Sequence, residues 1–289
     1  MNILICTDGS EQAQRAIRLA APIAAGCQAH VTLFGIIETP ANADTIYESL
    51  KRGQALLAER KLNAEVLTRA GEPIAEIVRR TQEAPYDLVV IGATRKESGG
   101  LFWMSSKSYK IIKEIEPPVL SVAGNLSSIK QMLICSGGKS YIDAAVRLAG
   151  QIAHGLGAAA TLFHVMPEPP AIYAGLPRMA ETAAWVLSSN SELGRNLRQE
   201  QATLQSLGVP CEVRLRQGAV LEQILREIRD GNYELVVTGS ALSTTLRTYV
   251  LGDVSREIVN RVHSAVLVVR SRDHSHHARR TFRGWWARP

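Results

Sequence analysis

The sequence predicts two α/β domains in tandem, each built on a doubly wound parallel sheet. The chain has 289 residues, more than one domain of ordinary size requires. Several blocks of sequence recur in the same order along the chain. Short apolar runs alternate with stretches of helical periodicity, and a run as continuously apolar as residues 88–91 is typical of a strand buried on both faces. This alternation favours a parallel sheet between two helix layers.

The recurring blocks define the domain organisation. Residues 3–9 recur as 132–138 at an offset of 129, and residues 88–92 recur as 235–239 at an offset of 147. The difference of 18 residues indicates an insertion in the second repeat, expected near residues 167–190, where prolines cluster. The predicted divisions are repeat 1 at residues 1–126, repeat 2 at 127–271, and a basic, flexible tail at 272–289.

The first half of repeat 1 predicts two strand–helix units. Residues 2–6 form an apolar run that ends in a Thr-Asp-Gly turn, as a buried strand does. Ser10 then begins a helical pattern with its small and apolar residues on one face. We expect Pro22 to kink or end this helix near Ala21, because proline lacks the N–H of a helical bond. The next predicted elements are a strand at residues 31–37 and a helix at 44–61.

The second half of repeat 1 predicts three more strands. A short helix follows the first of them, and Pro73 falls in its first turn, where a missing N–H costs little. A glycine- and serine-rich loop follows the next strand, before the last helix. The predicted strands are residues 64–69, 88–91 and 119–122, and the predicted helices are residues 72–81 and about 105–115.

Polar residues follow the first and fourth predicted strands, where such sheets bind ligands. The Asp8 carboxylate is suited to accept hydrogen bonds from a ribose, but Asp8 and Ser10 also suit a plain turn that caps the next helix. The segment after Gly92 is rich in glycine, serine and basic residues. Such a segment before a helix N-terminus suits a phosphate, and it equally suits a solvated loop.

The net charge of +6 resides mainly in the tail. Residues 272–289 hold five arginines and one aspartate and so carry +4, which leaves the two repeats nearly balanced. The tail also contains three histidines and a Trp-Trp pair, residue types that can bind a metal, a membrane surface or nucleic acid. A flexible terminus is the preferred interpretation.

The remaining composition argues against several protein classes. The four cysteines have no CxxC spacing, so neither a zinc site nor a disulfide scaffold is predicted. No apolar stretch is long enough for a membrane span, and the N-terminus lacks the features of a secretory signal, so we expect a cytoplasmic protein. The histidines, serines and cysteines form no recognisable catalytic set, and we expect no enzymatic turnover.

The sequence resembles the universal stress protein family over about residues 1–124 and 130–271. The similar segments in repeat 1 are ILICTDGS, AGEP, YDLVVIGA and PPVLSV, and repeat 2 has YELVVTGS and SAVLVV. The chain is similar to the tandem type, with two such domains. The resemblance implies an adenine-nucleotide α-hydrolase-like, Rossmann-like fold. It also implies that the two repeats pair as an internal pseudo-dimer, with a homodimer as a further possibility.

The resemblance also implies an ATP site. Family members that bind ATP carry Gly-x2-Gly-x9-Gly-(Ser/Thr) after strand 4 and an aspartate after strand 1. Repeat 1 has the aspartate as Asp8 and the first glycine as Gly92, whereas Arg95 and Ser105 replace the other glycines and Ser106 supplies the hydroxyl. We expect Asp8 to hold the ribose and Gly92 to admit the phosphates. The phosphates would be contacted by Ser105, Ser106 and Arg95, provided that Arg95 grips rather than blocks them.

Repeat 2 departs further from this motif. Gly239 and Gly252 match the first and third glycines, but Leu242 replaces the second glycine. Asp253 stands at the position of the hydroxyl residue, and Gly137 stands at the position of the aspartate after strand 1. A carboxylate beside a triphosphate is repulsive, more so in a pocket of low dielectric constant. Repeat 2 is therefore the weaker candidate for ATP.

The resemblance implies a stress-response binding or regulatory protein, with an adenine nucleotide such as ATP in repeat 1. One alternative is an interaction scaffold in which both pockets have lost nucleotide binding. Another is an ATP-hydrolysing, pyrophosphatase-like enzyme, suggested by the likeness of Ser136-Gly137-Gly138 to the SGGxDS loop. This alternative ranks last because the aspartate and final serine of that loop are replaced by Ser140 and Tyr141.

Overall fold

The structure is a computed structural model, and it describes most of both repeats. The described residues are 1–93, 95–98, 101–104, 106–138, 142–168, 183–240 and 253–270. The predicted tail, most of the predicted insertion and the segment 241–252 lie outside them.

Repeat 1 contains seven strands and four α-helices among its described residues. In chain order they are β1 (Asn2–Thr7), α1 (Glu11–Gly26), β2 (His30–Ile37), α2 (Ala43–Ala58), β3 (Ala64–Ala70), α3 (Pro73–Glu83), β4 (Leu88–Gly92), β5 (Arg95–Ser98), β6 (Leu101–Met104), α4 (Ser106–Glu114) and β7 (Val119–Val122).

Repeat 2 contains five strands and five α-helices among its described residues. They are β8 (Gln131–Ser136), α5 (Asp143–Leu156), β9 (Ala159–Met166), α6 (Ala183–Ser188), α7 (Glu192–Ser206), β10 (Cys211–Gln217), α8 (Val220–Asp230), β11 (Leu235–Ser240), α9 (Asp253–Arg261) and β12 (Ala265–Arg270). The predicted domain division at 126/127 falls between β7 and β8, and it remains a prediction.

Ten of the strands form one continuous sheet in the order β10-β9-β8-β11-β12-β7-β4-β1-β2-β3. In this sheet, all neighbouring strands that belong to the same repeat are parallel. The strand order reverses beside β1 in repeat 1 and beside β8 in repeat 2. This is the doubly wound α/β architecture that the sequence predicts. The repeats join where β7 and β12 pair antiparallel.

Two contacts show that a pseudo-twofold axis relates the repeats. Leu120 pairs with Leu267 across the β7–β12 junction, and these residues are equivalent at the offset of 147. Gly26 of α1 and Gly155 of α5 also meet, and they are equivalent at the offset of 129. Contact between equivalent positions is the property of a twofold interface. The two repeats thus pair as the expected internal pseudo-dimer.

The apolar core lies in two layers, one on each face of the sheet. One layer packs β-strand side chains against α1, α2, α5 and α7, and the other packs them against α3, α4, α8 and α9. Strand residues such as Ile3 and Leu4 point to opposite layers and are both completely buried. Burial on both faces explains the continuously apolar strands of the sequence.

Pro22 does not end the first helix near Ala21, which was one of the two outcomes that the sequence predicts. Helix α1 continues through Pro22 to Gly26. The proline removes one helical hydrogen bond, but the turn that follows it carries Ile23 and Ala24, which are completely buried in the core. Burial of this last turn offsets the lost hydrogen bond, because burying one large apolar side chain contributes about 1.5–3 kcal/mol to the free energy of unfolding.

The predicted loop between β4 and α4 is also more ordered than expected. It contains an antiparallel hairpin in which Arg95 pairs with Met104 and Ser98 pairs with Leu101. Two glycines, Gly99 and Gly100, separate the arms in the sequence, and a Gly-Gly pair between two short strands is a known hairpin signal. Strand β6 of this hairpin packs against α9 of repeat 2.

Candidate functional site

The carboxyl ends of β1 and β4 form the switch point of repeat 1. Strand β1 lies between β2 and β4. From β1 the chain continues to β2 on one side, whereas from β4 it continues towards β7 on the other side. The loops that follow neighbouring strands diverge there and leave a crevice for a ligand. Asp8 follows β1 directly, and Gly92 is the last residue of β4.

The loop after β1 is a tight polar turn. The Thr7 hydroxyl accepts the N–H of Gly9 at 3.1 Å, and the Asp8 carboxylate accepts the N–H of Ser10 at 3.0 Å. The Ser10 hydroxyl accepts the N–H of Ala13 at 3.2 Å and so caps α1. Asp8 therefore serves the turn, as one reading of the sequence proposed. It is also exposed to solvent, and a carboxylate has capacity for further hydrogen bonds.

Gly92 lies against the first turn of α1. A Cβ atom on Gly92 would come within 2.5 Å of the Gln12 carbonyl carbon and 2.6 Å of the Ala13 nitrogen. No side chain fits there, because the obstacles are backbone atoms. Asp8 and Gly92 thus adjoin the N-terminal end of the same helix, and the glycine serves the close packing of β4 on that helix.

A network of hydrogen bonds between buried, uncharged side chains supports the turn after β1 from the core side. The hydroxyls of Thr7 and Ser49 lie 2.7 Å apart, and the Gln14 side-chain amide donates to the Ser49 carbonyl at 3.0 Å. All three side chains are buried. Gln14 and Ser49 were not predicted as site residues from the sequence. Polar residues on the buried face of a predicted helix were the signal for them.

In both repeats a serine links a helix to the strand that precedes it in the main sheet: α4 to β4 in repeat 1, and α9 to β11 in repeat 2. The Ser108 hydroxyl donates to the Gly92 carbonyl at 3.4 Å, and the Ser255 hydroxyl donates to the Gly239 carbonyl at 3.1 Å. Ser108 and Ser255 are equivalent at the offset of 147. Recurrence at that offset was the signal that would have identified them.

The other predicted site residues of repeat 1 belong to the segment between β4 and α4. Arg95 begins β5, Ser106 begins α4, and Ser105 lies outside the described residues. The hairpin therefore separates Gly92 from the N-terminus of α4 along the chain. The first backbone N–H groups of a helix have no acceptor within the helix, and a helix N-terminus therefore favours an anion.

Repeat 2 has a different turn at the corresponding place. The Gly138 N–H bonds to the Ser136 hydroxyl at 3.0 Å, as the Gly9 N–H bonds to the Thr7 hydroxyl in repeat 1. The Ser136 hydroxyl donates to the buried Glu200 carboxyl at 3.0 Å. The residue equivalent to Asp8 is Gly137, so no carboxylate follows β8.

The glycine after the fourth strand also differs between the repeats. Among the described residues, the nearest neighbour of a Cβ atom on Gly239 would be the Ile142 side chain at 3.5 Å, an ordinary contact. Packing against those residues therefore does not require a glycine at position 239, in contrast to Gly92. Gly252, the other predicted residue of this site, lies outside the described residues, and Asp253 begins α9 with an exposed side chain.

Two titratable groups lie at the repeat 2 turn. The pKa of Glu200 is raised to about 7, chiefly by burial; the Ser136 hydrogen bond lowers it, and the nearby charge of Asp143 contributes to the rise. Burial lowers the pKa of His164, whose Nδ1 lies 2.8 Å from the Ser136 carbonyl oxygen. A proton on Nδ1 of a neutral ring makes that bond, as expected for a structural histidine.

Other kinds of site were sought in the same residues. Within the described ranges, no three His, Cys, Asp or Glu side chains converge on a point where they could hold a metal ion. None of the helices described has the length and apolar character that crossing a membrane requires.

The comparisons with known proteins agree with this geometry. The sequence model of the universal stress protein family matches twice, at residues 1–123 and 128–270. No curated protein matches the chain in sequence. A universal stress protein from Archaeoglobus fulgidus has a similar structure, with a TM-score of 0.69 and 18% identity over 93% of this chain and 98% of that one.

Two further structures are similar to the chain. A putative universal stress protein from Pseudomonas aeruginosa has a TM-score of 0.69 and 15% identity over 93% of both chains. A universal stress protein in complex with cAMP covers half of this chain with all of its own length, at 21% identity and a TM-score of 0.37. At these identities the first two similarities establish the fold. The two family matches span nearly the whole sequence, and the chain belongs to the universal stress protein family, with two copies of the family's α/β domain in tandem.

Proposed function

We propose that the protein is a stress-response binding or regulatory protein that takes an adenine nucleotide, such as ATP, in the crevice of repeat 1. The observation that supports this most is the position of Asp8. Its carboxylate is exposed at the switch point of the sheet, beside the capped N-terminus of α1 and close to the end of β4. Nucleotides bind to doubly wound sheets at this point.

The proposed roles follow the positions of the residues. Asp8 accepts hydrogen bonds from the ribose hydroxyls while one of its oxygens still accepts the Ser10 N–H. Gly92 keeps β4 close to α1, which leaves the crevice narrow. Arg95, Ser105 and Ser106 contact the phosphates, with the N-terminus of α4 contributing backbone N–H groups. In repeat 2, Gly239 and Gly252 would be the corresponding positions, with lower affinity.

The second candidate function is an interaction scaffold without a nucleotide. The hairpin β5–β6 favours it, because backbone groups that pair with the opposite arm are not available to phosphates. The repeat 2 turn also favours it, because Gly137 stands where repeat 1 has Asp8 and the buried Glu200 lies beneath the turn. The two functions differ in whether repeat 1 binds a nucleotide at all.

Isothermal titration calorimetry with ATP, ADP, AMP and cyclic AMP tests the proposal. We expect binding of at least one of them to the wild type. Asp8→Asn keeps an oxygen for the Ser10 N–H but removes the charge, and it should weaken binding by about tenfold or more, since a hydrogen bond to a charged group contributes about 1.5–3 kcal/mol. The matched control is Asp87→Asn. Asp87 lies at the amino ends of β1 and β4, away from the proposed crevice, and it accepts the Asn2 N–H there.

Two results would count against the proposal. If no nucleotide binds the wild type at millimolar concentration, the scaffold function is favoured. If Asp8→Asn and Asp87→Asn change the affinity equally, Asp8 does not hold the ligand.

A further inference from the structure

Glu200 links helix α7 to the turn that follows β8. Its carboxyl oxygen Oε1 accepts the Ser136 hydroxyl at 3.0 Å, and the same hydroxyl accepts the Gly138 N–H at 3.0 Å. On the same helix, the Asn196 side-chain amide donates to the Gly138 carbonyl at 2.8 Å. The turn is therefore held onto α7 by two side chains, and only one of them can ionise.

Among the described residues, no opposite charge compensates the buried Glu200 carboxyl. Glu200 is only 1% exposed, and its Oε2 atom has no hydrogen-bond partner in that part of the chain. None of the ion pairs between described residues includes Glu200. A buried carboxylate in such surroundings is costly, whereas the neutral acid is tolerated.

The titratable groups that face Glu200 from the neighbouring elements do not stabilise its charge. Asp143 on α5 repels it and raises its pKa. His164 on β9 has a lowered pKa and is neutral at pH 7. Burial raises the pKa of the Cys211 thiol on β10 to about 11, so that group is neutral as well. The pKa of Glu200 itself, about 7, lies well above its ordinary value of 4.5.

We propose that Glu200 is a proton-controlled latch that holds α7 against the β8 turn when protonated and releases it when ionised. The protonated carboxyl stays buried and bonded to Ser136. On ionisation the proton passes to solvent, and the carboxylate gains hydration only if α7 moves away from the turn or water enters. The equivalent position in repeat 1 is Gly53, with no ionisable group, so the latch belongs to repeat 2 alone.

The sign of the pH dependence follows from the raised pKa. Because the closed form binds the proton more tightly than the open form, closing is most favourable at low pH. Opening should increase by up to about tenfold per pH unit between pH 5 and 7, and it should level off above about pH 7. Hydrogen exchange of the α7 amides, corrected for the intrinsic pH dependence of exchange, measures this opening.

The test compares the wild type with Glu200→Gln, and the control is Glu192→Gln, which changes an exposed glutamate in the first turn of the same helix. We expect the corrected protection of α7 to fall between pH 5 and 7 in the wild type and in the control, and to stay constant in Glu200→Gln. Carbon-13 NMR of the wild-type glutamate side chains provides a second measurement that needs no variant, and one carboxyl should titrate near pH 7.

Either of two outcomes would overturn the proposal. One is a Glu200 carboxyl that titrates below about pH 5, because it would then be ionised throughout the range. The other is an α7 protection profile that has the same pH dependence in the wild type and in Glu200→Gln.

Discussion

The two repeats have the same framework but different polar groups beneath the first turn. In repeat 1 the turn rests on neutral side chains, Thr7, Ser49 and Gln14. In repeat 2 it rests on Ser136 and the carboxyl of Glu200, and Asp143 replaces Gln14. The comparison shows that apolar residues keep the fold of a duplicated domain, whereas the polar residues at the carboxyl end of its first strand can change independently.

The repeats also differ in how closely the glycine that matches the nucleotide motif is packed. Gly92 at the end of β4 touches the backbone of α1, whereas among the described residues nothing lies closer than 3.5 Å to a Cβ placed on Gly239. The packing constraint that the described residues place on this glycine therefore differs between the repeats. Substitutions at the two equivalent positions test this difference.

The largest effect is expected at the fourth-strand glycines. Gly92→Ala would place Cβ 2.5 Å from a backbone carbon of Gln12, and overpacking of this kind costs about 1–3 kcal/mol of the free energy of unfolding. Gly239→Ala, whose nearest contact among the described residues is at 3.5 Å, should change the free energy of unfolding by less than about 0.5 kcal/mol. Urea denaturation of the two variants measures the difference, and equal destabilisation would show that the packing contrast is wrong.

A smaller and symmetrical effect is expected where the repeats meet. A Cβ on Gly26 would lie 2.1 Å from the Gly155 carbonyl oxygen, and a Cβ on Gly155 would lie 2.6 Å from the Gly26 carbonyl carbon. Gly26→Ala and Gly155→Ala should each cost about 1–2 kcal/mol, because both force α1 and α5 apart. The double variant should cost less than the sum, since one displacement relieves both clashes. Additive losses in thermal denaturation would contradict a single shared contact.

The smallest effect is expected at the helix after the third strand. Glu72 accepts the Ala75 N–H at 2.8 Å and caps α3, whereas the equivalent Ala219 leaves α8 without a side-chain cap. Glu72→Ala should destabilise the protein, and Ala219→Ser should stabilise it, each by about 0.5–1 kcal/mol. Ala219 already has the extended backbone of a capping residue, with φ −67° and ψ 119°. A lower melting temperature for Ala219→Ser would indicate that α8 does not begin there in solution.

The framework was predictable from the sequence because it depends on periodic features. Apolar runs, helical periodicity and the offsets of 129 and 147 predict the strands, the helices and the duplication. The pairing of the repeats was implied by the resemblance to the family. The continuation of α1 past Pro22 could not be predicted because the rule for proline is local, whereas burial of Ile23 depends on the whole fold. The hairpin was missed because glycine and serine in the segment suggested a loop more strongly than its short apolar arm suggested a strand.

The candidate site was predictable only in part. Asp8 was identified because it directly follows a strand, and its place in the turn agrees with one of the two readings of the sequence. Glu200 was not identified, because its partner Ser136 lies 64 residues away and no local pattern connects them. Contacts of this kind depend on how helices pack on the sheet, and they become visible only when the fold is known.

A crystal structure of the protein grown with an adenine nucleotide tests the central claim most directly. The account predicts electron density for one nucleotide per chain, with its ribose at Asp8, beside the ends of β1 and β4. A nucleotide bound instead at the ends of β8 and β11, or one in repeat 1 whose ribose does not touch Asp8, would contradict it.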